Sequence, residues 1–230
     1  MNDPQREPQT SPMSFVPALG ADWLTPLYDT VALLTGERFF KRRLVTVAGI
    51  RAGHDVLDLG CGTGTLALMV KQACEQANVT GLDLDPKILA IARRKVDAAG
   101  VAIELRQGSA TAPPFERASF DRVLTTLMLH HLTTAQKREA LSAARTLLRP
   151  GGELHIADWG RPHNALMRIA AISFRLLDGD ETTAANLAGE LPSLVSAAGF
   201  RDVAETERWM TPFGTLAFIR ARVPSEARAV

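Results

Sequence analysis

Cysteine is scarce in this 230-residue chain: Cys61 and Cys74 are the only two, which excludes a disulfide framework and supplies no metal-ligand pattern. Such a chain suits a reducing compartment, and a cytoplasmic location is the expectation. Long apolar runs are also lacking. No stretch approaches the roughly 20 apolar residues that a membrane span needs, and the opening MNDPQREPQTSPMSFVP has no apolar core of the signal-peptide kind. Integral membrane association is therefore not expected. Nor is there an excess of charge. The 26 Lys and Arg residues stand against 25 Asp and Glu, with no dense basic run interleaved with aromatics, so no nucleic-acid partner is expected. A small or weakly charged substrate fits this balance better. No cluster of His, Cys and carboxylates has metal-ligand spacing, and no metal is expected.

What is present is enough apolar material for a substantial core: 46% of residues are apolar and 22% charged, which excludes disorder throughout. Residues 1–19 differ, with four prolines among polar residues, and read as a flexible tail. Residues 20–230 read as a single domain. Within 20–49, Trp23, Leu27, Val31 and Leu34, then Phe39, Phe40, Leu44 and Val45, recur at helical spacing and predict two helices parted by Gly36. From 50 to 158 the pattern alternates. DVLDLG, NVTGLDL, VAIELRQG, FDRVLTTLML and ELHIADWG read as strands. TLALMVKQACEQA, PKILAIARRKVDAAG and TTAQKREALSAARTLLRPGG read as helices, the last stopped by Pro150 and Gly151. That alternation predicts a parallel sheet covered on both faces. Residues 159–199 carry the apolar helix HNALMRIAAISFRLL and the amphipathic LPSLVSAAGF, and 200–230 end in two strands around Thr211, Pro212 and Phe213, close enough to form a hairpin.

The most informative segment is Asp58-Leu59-Gly60-Cys61-Gly62-Thr63-Gly64, at the carboxyl end of the first strand, where ligands of open α/β sheets bind. Its glycines let the backbone turn sharply and a ligand approach it, while the next helix offers free N–H groups to a carboxylate or phosphate. A dinucleotide motif G-x-G-x-x-G/A fits poorly. Counting from Gly60 puts Thr65 at the third position, and counting from Gly62 reaches only Ala67. Asp58, just before the turn, suits an ammonium group better than a pyrophosphate. About 20 residues on, Asp83 ends the second strand, where a carboxylate can accept both hydroxyls of a ribose. Asp85 precedes Pro86 and reads as a helix N-cap.

VLDLGCGTGTLAL, VTGLDLDPKIL, GSATAPPF, SFDRVLTTLMLHHL and LLRPGGELHIADW resemble, in order and spacing, the successive motifs of class I S-adenosylmethionine methyltransferases. The resemblance covers Tyr28 to Asp158 and is greatest to the ubiquinone and menaquinone C-methyltransferase branch with its small-molecule relatives. It implies an α/β Rossmann-like fold: a mostly parallel seven-stranded sheet, an antiparallel last strand and an N-terminal helical cap. It also implies S-adenosyl-L-methionine as cofactor. Gly60, Gly62 and Thr63 would hold the methionine end, with Asp58, Cys61 and Gly64 of the same motif around them. Asp83 and its neighbour Leu84 would meet the ribose, Ser109 and Ala110 the adenine edge, and Thr126 with Leu127 the strand-four side. Ser109 stands where the family more often has Asp. Tyr28 would lie near the cofactor, where an aromatic face attracts a cation.

Candidate catalytic residues are His130 and His131, Asp158 and Tyr28. A neutral imidazole after the fourth strand can serve as a base, or can equally hydrogen-bond local backbone. Asp158 ends the fifth strand on the same edge, as a substrate ligand, a base or a loop-start hydrogen-bond acceptor. Cys61 has no partner that would stabilise a thiolate and reads as a small residue within the turn. The helix over Leu166–Leu177 has apolar surface for more than one face. It reads as a lid over a partly apolar small-molecule acceptor, as core, or as a contact in a homodimer, so a monomer or a homodimer is expected. Two functions stay open: methyl transfer to a small acceptor, and a catalytically idle S-adenosylmethionine-binding partner protein.

Overall fold

The computed structural model describes residues 37–225, with the side chains of 173–178 and of 180 left aside. The expected tail and the helix before Gly36 lie outside the described residues. The chain then runs α1 (Glu37–Ala48), β1 (Asp55–Leu59), α2 (Thr65–Ala73), β2 (Asn78–Asp83), α3 (Pro86–Ala99), β3 (Glu104–Gln107) and β4 (Phe120–Thr126). A 3-10 turn (Leu129–His131) leads into α4 (Thr134–Leu147), β5 (Leu148–Trp159), α5 (Ala165–Asp178), α6 (Asp180–Ala188), α7 (Leu191–Ala197), β6 (Arg201–Thr211) and β7 (Gly214–Arg222).

The seven strands form one sheet in the order β3-β2-β1-β4-β5-β7-β6. The first five are parallel, and β7 is antiparallel to both β5 and β6. This is the Rossmann-like arrangement that the alternation and the resemblance led us to expect. Strands buried on both sides need no polar face, and β1 is apolar throughout except for its two aspartates. One side of the sheet is closed by Phe40, Leu44, Val45 and Ala48 of α1 with Leu66, Ala67 and Val70 of α2. The other is closed by Leu141, Ala144 and Leu147 of α4, Ala185 of α6, and Leu191, Leu194 and Val195 of α7.

Two local expectations are corrected. α4 ends at Leu147, not at Pro150, because Leu148 already pairs with Phe120 of β4, and β5 then runs on through Pro150 and Gly151. The sequence also gave no sign of α6. This helix buries Thr183, Ala185 and Asn186, so it has no apolar stripe to read.

Because β7 is antiparallel to β5, with Trp159 opposite Leu216, the β6–β7 turn lands at the carboxyl edge of the parallel strands. α1 starts at that edge and ends at the other, where Arg122 Nε donates to Ala48 O. One edge of the sheet thus collects the ends of β1, β2, β4 and β5, the start of α1 and the tip of the hairpin.

Candidate functional site

At the end of β1 the chain turns through Gly60, Gly62 and Gly64, all with left-handed backbones (φ of 76°, 53° and 76°), into α2. A side chain at Gly60 would collide with Met128 of the segment after β4, so the close approach of these two loops requires glycine. Gly60 N and Cys61 N both donate to Leu82 O, at 2.8 and 2.9 Å, and Gly62 N donates to Asp83 Oδ2 at 2.8 Å. Asp83 Oδ1 accepts from Asp85 N at 3.0 Å. Each Asp83 oxygen keeps acceptor capacity beyond these bonds. Burial raises the Asp83 carboxyl above the ordinary range, against the pull of these amides. Asp85 caps α3, its Oδ1 accepting from Lys87 N at 2.8 Å.

Asp58 is buried beneath the turn. Its Oδ2 accepts from Ala67 N at 3.1 Å, whereas Oδ1 has no partner among the described residues. Burial pushes the carboxyl up to about 7, opposed by the nearby Lys41 cation of α1, which is itself ion-paired with Glu37. A buried oxygen without a donor is costly, and this one belongs to the strand that leads into the glycine turn.

Across the edge, Asp158 is fully buried at the end of β5 and accepts a set of converging donors. Oδ2 takes Met128 N at 3.1 Å and Leu129 N at 2.8 Å, and Oδ1 takes Trp159 N at 2.7 Å and Asn186 Nδ2 at 3.3 Å. His130 Nδ1 stands 2.8 Å from Oδ1. Burial pushes Asp158 up, but the His130 contact and the amide donors outweigh it, and the carboxyl lies below its usual range. An ionised acceptor needs a proton on its partner. His130 Nδ1 therefore donates, and in the neutral ring Nε2 carries the lone pair. The half-buried His131 ring lies 4.0 Å from that of His130, and burial, then repulsion between the two rings when both are protonated, depress it to about 3, so it is neutral at physiological pH.

A family model for methyltransferase domains matches residues 56–152. A Synechocystis protein described as an uncharacterized methyltransferase is 34% identical over 202 residues, covering 87% of this chain and 91% of its own. The chain belongs to the class I S-adenosylmethionine-dependent methyltransferases. The demethylmenaquinone methyltransferase of Thermus thermophilus is 36% identical over 142 residues, 60% of this chain and 64% of that one. Among solved structures, Haemonchus contortus phosphoethanolamine N-methyltransferase 2, in complex with phosphomonomethylethanolamine and S-adenosylhomocysteine, superposes with a TM-score of 0.73. It is 20% identical and covers 90% of this chain and 58% of that one.

The methyltransferase cofactor is S-adenosylmethionine, and the donor set of this edge fits it. An unpartnered buried carboxylate oxygen suits an ammonium, amides at a helix start suit a carboxylate, and an acidic group at the end of β2 suits a ribose. The structure gathers most of the residues singled out from the sequence. Asp58, Gly60, Cys61, Gly62, Gly64, Asp83, Leu84, Ser109, Ala110, Thr126 and Leu127 all lie on or just past the ends of β1 to β4. Leu127 has a left-handed backbone (φ 49°), rare for a branched residue and characteristic of positions held by their surroundings. Ser109 Oγ accepts from Thr111 N at 3.2 Å, folding the loop after β3.

Thr63 lies in the same turn, where its buried hydroxyl accepts from Lys95 Nζ at 3.0 Å and braces the turn against α3. Tyr28 lies outside the described residues. Sequence reasoning missed two polar residues. Asn186 of α6 reaches both Asp158 and Trp159 O, the latter at 3.0 Å. Lys137 is fully buried in α4, donating to Leu132 O and, at 2.6 Å, to Thr182 O; burial lowers it to about 8. Lys137 sits where the sequence reads as ordinary helix surface, and Asn186 in a stretch that showed no helical pattern at all. Only their depth sets them apart, and no spacing signals it.

Proposed function

We propose that this methyltransferase transfers the methyl group of S-adenosylmethionine to a small, partly apolar acceptor, leaving S-adenosylhomocysteine, and that His130 removes the acceptor's proton. The observation that carries this reading is the His130–Asp158 pair, at 2.8 Å, beside the cofactor edge. S-Adenosylmethionine, when bound, supplies a methyl group on a cationic sulfur for in-line displacement, which leaves the protein to align the nucleophile and handle its proton. Asp58 and the amides of the glycine turn would hold the methionine end, and Asp83 with Leu84 the ribose. Ser109 and Ala110 would meet the adenine edge, and Thr126 with Leu127 the strand-four side.

Asp158, saturated with donors and inaccessible, is suited to fixing the His130 tautomer rather than to meeting substrate. His131, too weak a base to take a proton at neutral pH, is suited to accepting a hydrogen bond from the acceptor. The exposed apolar residues of α5 near this edge support an apolar acceptor. A relative named for demethylmenaquinone supports beginning with quinols.

The test is a screen of quinols, phenols, amines, thiols and lipids for production of S-adenosylhomocysteine. Turnover with a hydroxyl-bearing apolar acceptor is expected. With that acceptor in hand, His130→Ala should lower kcat by roughly 10²–10⁴-fold while cofactor affinity holds. Tight cofactor binding with no product from any acceptor overturns the functional reading, and full turnover by His130→Ala overturns the assignment of the base.

A further inference from the structure

Single exposed apolar side chains are normal on any protein, but here they are not scattered. Among the described residues the large ones are Phe39, Leu84, Leu166, Ile169, Ile172 and Met210. Phe39 is at the start of α1, Leu84 follows β2, the next three stand on α5, and Met210 adjoins the β6–β7 turn. All six lie at the carboxyl edge of the parallel strands. The opposite edge is ionic. There Arg149 pairs with Asp55 and Asp121 at 2.7 and 2.6 Å, and Glu153 pairs with Arg220 and Arg222 at 2.8 and 2.6 Å. Among the described residues the large exposed apolar side chains thus gather at the site end, and the Arg149 and Glu153 ion-pair clusters at the far end.

α5 is the centre of the apolar end. It buries Met167 and Ala171, and the backbone of Ala171 approaches Gly214 at the hairpin turn. Leu166, Ile169 and Ile172, three residues apart and so on one stripe, remain 59%, 65% and 58% exposed. Met210, at 55%, continues the stripe through Asn164, whose Nδ2 lies 3.6 Å from its sulfur. Arg168 flanks the stripe on the helix itself, while Arg161 precedes the helix with its stem against Gly189; both are exposed and neither is in an ion pair with a described residue. A surface helix that pairs an apolar stripe with uncommitted cations has the composition of one lying at the headgroup level of a bilayer. The two free guanidinium groups are complementary to anionic headgroups.

We propose that this edge rests on an anionic lipid surface, with α5 and the hairpin tip at the headgroups and the site mouth facing the lipid. The proposal rests on the reading that the acceptor is apolar, since a lipid-dissolved acceptor then reaches the site without crossing water.

Flotation of the full chain with phosphatidylcholine vesicles, with and without phosphatidylglycerol and with no acceptor present, tests it. Association with the anionic vesicles alone is expected. Leu166→Ser, Ile169→Ser and Ile172→Ser together should weaken it at least tenfold, and Arg161→Glu with Arg168→Glu should weaken it severalfold, as should added salt. Calorimetric S-adenosylhomocysteine binding by each variant reports that the fold is intact, and the arginine pair provides a second variant should the triple one fail to fold. Absence of the wild-type chain from anionic vesicles overturns the proposal, as do equal binding to neutral ones and unchanged binding by a folded variant. Concentration-dependent self-association that the triple variant abolishes, without vesicle binding, assigns the stripe to a second copy and also overturns it. Because no acceptor is present, a failed acceptor screen sinks the functional reading alone, and failed flotation sinks only this one.

Discussion

At the scale of single residues, Asp58 makes the sharpest prediction, because its carboxyl ionises near 7 in the ligand-free protein. The ionised form is the one that attracts an ammonium group, so S-adenosylmethionine affinity should be full above about pH 8 and fall as pH drops below about 7. Calorimetric Kd values across that range read this, and Asp58→Asn should flatten the curve. An unchanged slope in that variant would remove Asp58 from the ammonium site. Folding responds with the opposite sign. A carboxyl whose folded value is raised stabilises most below the ordinary carboxylate range, and that stability is lost as pH rises towards 7. Asp83→Ala should weaken cofactor affinity by roughly tenfold to a hundredfold, about 1.5–3 kcal/mol, as charge-assisted acceptors for the ribose are lost. Some of that loss would come from the turn itself, because Asp83 also fixes Gly62 N. Calorimetry with Asp83→Asn, which keeps one acceptor oxygen, should recover part of it. The position of Asp83 at the end of β2 was legible from the apolar run that precedes it. The hydrogen bonding of Asp158 was not, because all its donors but Trp159 N come from residues 28 to 30 positions away in the chain, Asn186 of α6 among them.

At the scale of elements, the caps separate structure from function. Asp85 holds the start of α3 through Lys87 N and points to no other role, so Asp85→Ala should cost about 1 kcal/mol of stability. Denaturant unfolding measures that cost, and S-adenosylhomocysteine affinity should stay at the wild-type value; a collapse in affinity with unchanged stability would exchange the roles of Asp83 and Asp85. Elements with an apolar period were legible: β1, β2 and β4 as short buried runs, α3 by its proline start and Gly100 stop, and the hairpin by its Thr-Pro-Phe break. α6 was not. Its buried face is made of Thr183, Ala185 and Asn186, and a helix held by hydrogen bonds to a neighbouring carboxylate leaves no hydrophobic rhythm in its sequence. The end of α4 was misjudged because a proline marks where a helix cannot continue, whereas pairing with Phe120 had already ended it.

At the scale of the whole molecule, alternation along the chain predicted a parallel sheet, but the place of the last strands came only from the family resemblance. A hairpin can attach to either edge of a sheet, and only contacts distant in sequence decide that β7 lies between β5 and β6. Among the described residues that placement leaves β6 and the four-residue β3 as the outermost strands. An open edge offers unpaired backbone groups to any other chain, and β6, at eleven residues, is long enough to template a neighbour. It is built to refuse one. Its register with β7 slips twice, between Arg201 and Ala204 and between Glu205 and Glu207, and Asp202 takes a left-handed backbone at the first slip. Arg201, Glu205, Glu207 and Arg208 then set charges along the strand, with Glu205 and Arg208 ion-paired. Replacing Arg201, Glu205 and Arg208 by valine should leave the sheet order intact, yet lower the temperature at which light scattering rises on heating. An unchanged onset would mean the slipped register alone protects the edge. The hairpin that brings an apolar tip to the site therefore also guards the protein's solubility, because the same eleven residues carry apolar contact at one end and gatekeeping charge along the rest.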